Sequence, residues 1–379
     1  MAGKAAADTN TFSVTQLSAP ERTRQYLERE SELVRQYYRQ VPFEDIESRS
    51  LDELNAAAIS HWNFARLRAH NECLVRIYNP GCDQHGWEST HTIVEITTDD
   101  KPFLVRTVAL VMTRLGFSIS QLIHPIFSVV RKSNGALDGL VARDGTGASQ
   151  ESFMQLHIDR LFDDAEFAQI ESEILKAIAD VNLVCDDWER MKDASSATGK
   201  ALRSAVKEDF LTAESCDFID WLQRFHFTFT GYCELTDDNG EYSMVSDSAL
   251  GIFRSDTAQR TLASCLPGAE LQQIADDLLY ITKSADRAPV IWPRPMDVIS
   301  YKRVDSNAKE NGRCVICGFF TSRADNTDLD GIPILRHKLH NIVARSNINP
   351  GAHDGKILLN TLEGFPRDLL LQSDEPTIA

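Results

Sequence analysis

The stretch from His91 to Lys132 constrains the fold more than any other part of this chain. It reads as strand, polar turn, amphipathic helix, strand and strand. Thr92-Ile93-Val94-Glu95-Ile96-Thr97 is β-branched and partly alternating, which suits a half-buried strand. Thr98-Asp99-Asp100-Lys101-Pro102 stops it. Asp99 or Asp100 can cap the next helix, and Pro102 fits a first helical turn, where no backbone donor is needed. Phe103, Leu104, Thr107, Val108, Val111, Met112 and Leu115 follow at spacings of three and four, so one helix face is apolar. Gly116 ends the helix as a left-handed cap. Phe117 to Ile123 and Ile126 to Val130 are two further strands, separated by His124-Pro125. This order is the first two-thirds of a ferredoxin-like βαββαβ unit. Such a unit assigns no function by itself. The turn residues Asp99, Asp100, Lys101 and Phe103 are the candidate ligand site, because backbone donors at a helix start can hold a carboxylate. Helix capping alone is the plainer reading of the aspartates.

The flanking sequence extends this unit on both sides. Pro20 to about Arg39 is helical in pattern. Ser50 with Glu53 forms a capping box for a second helix reaching about Leu67. Leu74 to Asn79 is a strand, and residues 80–90 are a loop. A Gly/Asp-rich break spans 133–147, Ser152 to Asp159 is a strand, and Asp163 to Ala179 a helix. No closing strand follows that helix, so 74–79 is expected to take its place in the sheet. Residues 191–209 are small and polar and read as a linker. Beyond them the pattern is mostly strand. Asp237-Asp238-Asn239-Gly240 marks a hairpin, and Met296 to Val304 pairs naturally with Arg313 to Ser322. Ile332 to Ser346 and Asp354 to Phe365 are helices.

Composition excludes several classes. A net charge of −17 opposes binding to nucleic acid or to anionic membranes, which need a basic face. No run reaches the length of a membrane span, and the first residues lack the apolar core of a secretion signal. Eight cysteines without framework spacing imply reduced thiols in a cytoplasm. Cys314 and Cys317 have metal-like spacing, but within a strand they face opposite ways. His337 and His340 share a helix face without the Glu of a zincin motif. His124 and His157 read as structural histidines. Gly145-Thr146-Gly147 has no third glycine and precedes a strand, so it is no dinucleotide fingerprint. No phosphate loop, nucleophile elbow or paired-carboxylate motif is present. The chemistry points to a binding or regulatory assembly.

Several blocks, in order, resemble the N-terminal region of the large bacterial NAD-dependent glutamate dehydrogenases. These are Ser60-His61-Trp62, His91 to Ile96 with Asp100 to Val105, Ile123 to Ile126, and Met154 to Asp159. They continue with Trp221 to Tyr232, Asp297 to Arg303, Gly318 to Ser322, and Asn349 to Lys356 with Asn360, Glu363 and Pro366-Arg367-Asp368. The resemblance implies ACT-like modules serving regulation and oligomer assembly. It implies a whole enzyme that converts L-glutamate, NAD and water to 2-oxoglutarate, ammonium and NADH, with its catalytic core downstream. The chain stops before that core, so it reads as a fragment or a separate protein. The family's NAD would then be bound outside this chain, which has no cofactor of its own. One departure stands out. Amino-acid-binding ACT modules carry a glycine where Phe103 stands, and a bulky ring there would block close backbone approach.

The expectation is therefore an α+β protein of ACT-like, ferredoxin-like βαββαβ modules with antiparallel sheets behind an N-terminal helical hairpin. The expected divisions are a disordered tail at 1–19, the hairpin at 20–70 and a first ACT-like domain at 71–190. The linker at 191–209, a second ACT-like α+β domain at 210–330, and C-terminal helices and tail at 331–379 complete the chain. The expected function is a cytoplasmic regulatory and assembly region, inactive alone. Its expected partners are the catalytic region of the same enzyme or further copies of the chain, with an amino acid as the candidate effector. A stand-alone amino-acid sensor is the alternative.

Overall fold

A computed structural model of the chain describes residues 19–378 except 29, 143, 144, 146, 206–209, 306, 347, 350, 351 and 374. The expected tail at 1–19 lies outside the described residues but for Ala19, which opens the first helix. The fold mixes helices with antiparallel sheets. It divides into two units, one ending at Ile178 and the other beginning at Ala179.

The first unit opens with three helices rather than a hairpin of two. α1 (Ala19–Tyr26) and α2 (Glu32–Tyr37) are separate, because Ser31 starts a new helix by accepting a hydrogen bond from Val34 N. α3 (Leu51–Phe64) begins with the expected capping box. Ser50 Oγ accepts from Glu53 N at 3.2 Å, and the Glu53 carboxylate accepts from Ser50 N at 3.1 Å. A short helix, α4 (Cys82–His85), sits in the segment read as a loop.

The sheet of this unit contains β1 (Leu74–Tyr78), β2 (Thr92–Asp99), β3 (Ile119–Ile123), β4 (Ile126–Arg131), β5 (Leu137–Leu140) and β6 (Ser149–Ile158). Its order is β1-β2-β6-β4-β5, with β3 also on β6. β3 pairs with the C-terminal half of β6 and β4 with its N-terminal half, both antiparallel. The two therefore share one lane, interrupted at His124-Pro125. Phe153 N donates to Pro125 O at 3.0 Å, so pairing continues through the break. α5 (Leu104–Leu115) connects β2 to that lane, and α6 (Asp164–Asp186) follows β6. β1 pairs antiparallel with β2 from Leu74↔Thr97 to Tyr78↔Ile93. The preceding strand thus fills the edge that a closing strand would occupy, as the missing strand in the sequence suggested. β5 was not expected. It lies within the Gly/Asp-rich break and makes a hairpin with β4.

Side chains alternate across a strand. Glu95 and Thr97 of β2 therefore share a face with Phe153 and Gln155 of β6, opposite Val94, Ile96, Met154 and Leu156. All eight are buried, so both faces of the sheet are covered. On the first face Tyr37, His61 and Trp62 meet Phe127 and Phe153 ring to ring.

The second unit contains α7 (Trp188–Ala205), α8 (Phe210–Trp221), β7 (Phe227–Asp238), β8 (Glu241–Met244), β9 (Leu250–Gly251), α9 (Ala258–Cys265) and α10 (Gly268–Gln273). β10 (Leu279–Arg287), β11 (Pro295–Val304), β12 (Glu310–Phe320) and α11 (Ser322–Asp325) follow. α12 (Leu335–Ser346), α13 (His353–Glu363), α14 (Arg367–Gln372) and a helical turn at Glu375–Ile378 close the described chain. The sheet order is β10-β11-β12-β7-β8, with β9 on β7, and every pairing is antiparallel. β7 and β8 meet at the expected turn, where Asn239 (φ 56°) and Gly240 (φ 90°) adopt the left-handed pair a two-residue hairpin needs.

Two expectations change here. The second domain is α+β, but its sheet does not interleave as a βαββαβ unit does. β10, β11 and β12 are consecutive neighbours and β7 adds outside them, because short hairpin loops pair strands in chain order. The expected linker at 191–209 is helix α7 as far as Ala205, and 206–209 lie outside the described residues. Met191, Ser195, Gly199 and Leu202 form its buried stripe. The stripe is half small residues, so composition alone read as linker. Smallness is what lets α7 approach its neighbours. A Cβ on Gly199 would lie 3.0 Å from Ile219 Cγ2 of α8.

Candidate functional site

The candidate turn begins where β2 ends. Asp99 is the last residue of β2 and stands opposite Glu151 of β6. Two neighbouring carboxylates would repel, and two arginines resolve this. Arg68, from the segment after α3, donates through Nη2 to Asp99 Oδ1 at 2.6 Å and to Glu151 Oε1 at 2.7 Å. Arg131 of β4 donates to both oxygens of Glu151, at 2.6 and 2.8 Å. Further donors reach backbone: Arg68 Nη1 to Glu72 O, Arg131 Nη1 to Gly135 O and Arg131 Nη2 to Ala65 O, while Arg68 Nε is buried with no hydrogen-bond partner among the described residues. Burial works against the charge on Arg68, but the bonds to Glu151 and Asp99 outweigh it and hold its pKa above the ordinary arginine value.

Gly135 makes this closure possible. Arg68 N donates to Gly135 O at 3.1 Å, and Gly135 has φ +83°. A Cβ there would lie 2.5 Å from Arg68 O, closer than any side chain can come.

The rest of the turn departs from the capping expected of it. Neither aspartate occupies the N-cap position of α5. Asp99 is committed to Arg68, and Asp100 N donates to Gln150 O at 2.9 Å, prolonging the β2–β6 ladder. Asp100 and Lys101 are half-buried, and Pro102 precedes the helix rather than entering its first turn. The N-cap is Phe103, which makes no side-chain cap bond. Its φ is +74° and ψ −8°, the left-handed region that bulky residues adopt only under strain. The backbone therefore takes the shape a glycine would favour, while the ring occupies the space a glycine would leave. Asp99, Asp100, Lys101 and Phe103 are close in space because they are close in chain, and Asp99 is already held by a guanidinium.

A second polar group lies on the same face. Glu95, wholly buried in β2, accepts from Arg76, Tyr78 Oη (2.9 Å) and Gln155 Nε2 (3.0 Å). His61 Nδ1 lies 2.8 Å from Tyr37 Oη and its Nε2 3.2 Å from Thr97 Oγ1. Burial pushes the His61 pKa down to about 4. His157 is pushed down to about 3, by burial first and then by Arg49 and His91. His124 bonds Ser152 Oγ at 2.7 Å, and burial lowers its pKa as well.

The other singled-out residues fall elsewhere. Cys314 and Cys317 are buried free thiols in β12, the first near Tyr232 and the second near Thr230. His337, on α12, contacts Asn341 of the same helix and the Phe210 ring of α8. Among the described residues no three His, Cys, Asp or Glu side chains are arranged to hold a metal ion. No described helix is long and apolar enough to cross a membrane. Thr146 lies outside the described residues, as do Pro350 and Gly351.

Sequence reading missed Arg68, Arg131 and Glu151. The signal available was a lone charge set in an apolar strand, as in Phe127 to Arg131 and Glu151 to Ile158. Such a charge must find a partner if the strand is buried.

A family model described as the ACT1 domain of glutamate dehydrogenase matches residues 33–174, and one described as its helical motif 1 matches residues 332–379. The chain is 32% identical over 355 residues to the NAD-specific glutamate dehydrogenase of Halomonas elongata, covering 90% of this chain and 22% of that protein. It is 31% identical over 350 residues to that of Pseudomonas aeruginosa, covering 89% and 22%. With that of Mycobacterium tuberculosis it shares 23% over 317 residues, covering 81% and 18%. The chain thus spans about a fifth of the length of these relatives.

Proposed function

The chain belongs to the NAD-specific glutamate dehydrogenase family, carrying its ACT1 domain and helical motif 1, and from that premise we propose that it is a regulatory and assembly region of such an enzyme. The observation that carries this reading is the asymmetry of the alignment. Nine-tenths of this chain matches about a fifth of the Halomonas elongata and Pseudomonas aeruginosa proteins. In the proposal the whole enzyme oxidises L-glutamate with NAD to 2-oxoglutarate, ammonium and NADH. The chemistry belongs to a catalytic region outside the 379 residues, and NAD binds there.

The turn of the first unit supports assembly over sensing. Its carboxylate Asp99 is held by Arg68, and a phenylalanine, Phe103, stands at the left-handed position where amino-acid-binding ACT modules carry a glycine. Asp99, Asp100, Lys101 and Phe103 are accordingly assigned to packing. The test has two arms. The purified chain, given L-glutamate and NAD, is expected to form no NADH, and measurable NADH formation would overturn the proposal. A whole enzyme lacking this region should keep its chemical step but change its oligomeric mass by light scattering or its response to effectors. An enzyme indifferent on both counts would refute the assigned role.

A further inference from the structure

β1 closes one side of the first unit's sheet. It pairs with β2 alone, in unbroken register from Leu74↔Thr97 to Tyr78↔Ile93. In an antiparallel ladder alternate residues turn their backbone N–H and C=O groups away from the partner strand. Among the described residues no hydrogen bond from outside β2 reaches the backbone of Leu74 to Tyr78. Such a row of unpaired peptide groups is a template for a further strand, and folded proteins guard it with charges, prolines, bulges or very short strands.

The other open edges carry those guards. β3 shifts register between Ile119 and Gln121. β10 shifts between Lys283 and Arg287 and bears charges at Lys283, Asp286 and Arg287. β5 holds Asp138 and Gly139, β8 begins with Glu241, and β9 is two residues long. β1 has no proline and no bulge, and its single charge is neutralised within its own unit. Arg76 Nε donates to the buried Glu95 carboxylate at 3.0 Å.

The surroundings of this edge are apolar. Leu74, Val75 and Ile77 are half-buried. α3 lies over the strand, since Arg76 Nη2 donates to Ser60 Oγ at 3.1 Å. A groove of about 460 Å³ opens between α3, Arg76 and α4, with Ala56, Ile59 and Phe64 as its apolar wall. Ile59 is 44% exposed there.

The complement of a bare edge is another bare edge, and among the described strands β1 alone offers one. We propose that β1 pairs antiparallel with β1 of a second copy of this chain about a two-fold axis, joining two sheets into one. A two-fold contact closes on itself and leaves no edge to propagate. A register centred on Val75 or on Ile77 sets an apolar side chain against its own copy and keeps Arg76 from standing opposite Arg76, a destabilising like-charge pair. The same axis brings the two α3 helices together over the joined strands and covers Ile59. This names a partner for the assembly role, and only its use in the enzyme rests on that reading.

Sedimentation velocity of the 379-residue chain over a range of micromolar concentrations tests the pairing. A monomer–dimer equilibrium is expected. Ile59→Lys, on the helix surface, and Val75→Lys, on the strand, should each weaken it by about tenfold or more, while Ser243→Lys on the β8 edge leaves it unchanged. Ile59 and Ser243 are exposed, so the thermal midpoints of those two variants should match the parent. Hydrogen exchange needs no substitution: amides of residues 74–78 should exchange more slowly in the dimer than in the dilute monomer. A chain monomeric throughout overturns the inference and leaves the family-based reading intact. So does a dimer that survives both lysines, one broken by Ser243→Lys instead, or one whose β1 amides exchange as in the monomer. A whole enzyme whose oligomeric mass ignores Ile59→Lys would sink the assembly role and leave the pairing of the chain standing.

Discussion

Arg68 and Glu151, 83 residues apart in sequence, meet at 2.7 Å with side chains 2% and 0% exposed. Around this pair the end of β2, the start of β6, the segment after α3 and Arg131 of β4 are drawn into one network. A buried ion pair adds little to stability against a well-packed apolar alternative, but removing one partner strands the other.

Glu151→Gln keeps the shape and removes the charge, leaving two guanidiniums beside a neutral amide. Loss of one partner of a buried pair costs about 3–5 kcal/mol. Urea unfolding followed by tryptophan fluorescence should report a loss in that range. Asp99→Asn should cost less, roughly 1 kcal/mol, because Asp99 is partly open to water.

Phe103 provides a test whose sign is unusual. At an ordinary position Ala is more stabilising than Gly by about 0.4–1 kcal/mol. At φ +74° the order should invert, with Phe103→Gly more stable than Phe103→Ala by about 1 kcal/mol. Both variants lose the ring, so the comparison isolates the backbone. Equal unfolding midpoints would argue against the left-handed conformation.

The first unit should weaken in mild acid. His61 and His157 have folded-state pKa values pushed down to about 4 and about 3, chiefly by burial. Their unfolded values lie near 6.5. Between those values the unfolded chain binds more protons, so stability falls as pH drops from about 6.5 toward 4. His61 feels Glu95, which raises its pKa, and Arg76, which lowers it, while Arg49 and His91 lower that of His157. Denaturation midpoints at pH 7 and pH 5 should differ, and His61→Gln should shrink the difference. A flat profile over that interval would mean neither histidine is buried neutral.

Arg313 is a buried guanidinium that forms no ion pair with a carboxylate among the described residues. It donates to Ser300 Oγ at 2.7 Å, to the carbonyls of Ile274 and Asp277 at 2.9 Å each, and to Ser300 O at 3.3 Å. A lysine has one nitrogen and cannot span these acceptors. Arg313→Lys should cost about 2–3 kcal/mol by leaving buried carbonyls unpaired. Amide exchange should quicken in the segment those carbonyls anchor.

Gly135→Ala should destabilise by about 2 kcal/mol or more, since the new methyl meets the Arg68 carbonyl at a left-handed position. The same calorimetric or urea measurement applies, and a neutral result would mean the segment 66–68 can yield.

Much of the first unit was legible because its signals are local. The Ser50–Glu53 box spans four residues, the apolar stripe of α5 repeats every three or four, and the Asn239-Gly240 turn requires φ values those residues tolerate. Even β1 at the sheet edge could be inferred, since an exposed ladder edge needs a strand and none followed α6. Helix α7 was missed for a physical reason. Its buried face is half serine and glycine, and such a face shows itself only when a partner helix comes close enough to need it.

The sequence by itself determined the main strands of the first unit with α3, α5 and α6, the caps at Ser50 and Gly116, and the family to which the chain belongs, because spacing along the chain encodes these. Only the tertiary structure decided the fate of the turn at 99–103. Whether Asp99 awaits a ligand or is spoken for depends on Arg68, a residue 31 positions away. Whether Phe103 imitates a glycine or blocks one depends on a backbone angle imposed by β2 and α5 together. Sequence periodicity records which face a residue occupies. It does not record which buried charge will reach it, because that partner is chosen by the packing of strands and segments distant in the chain.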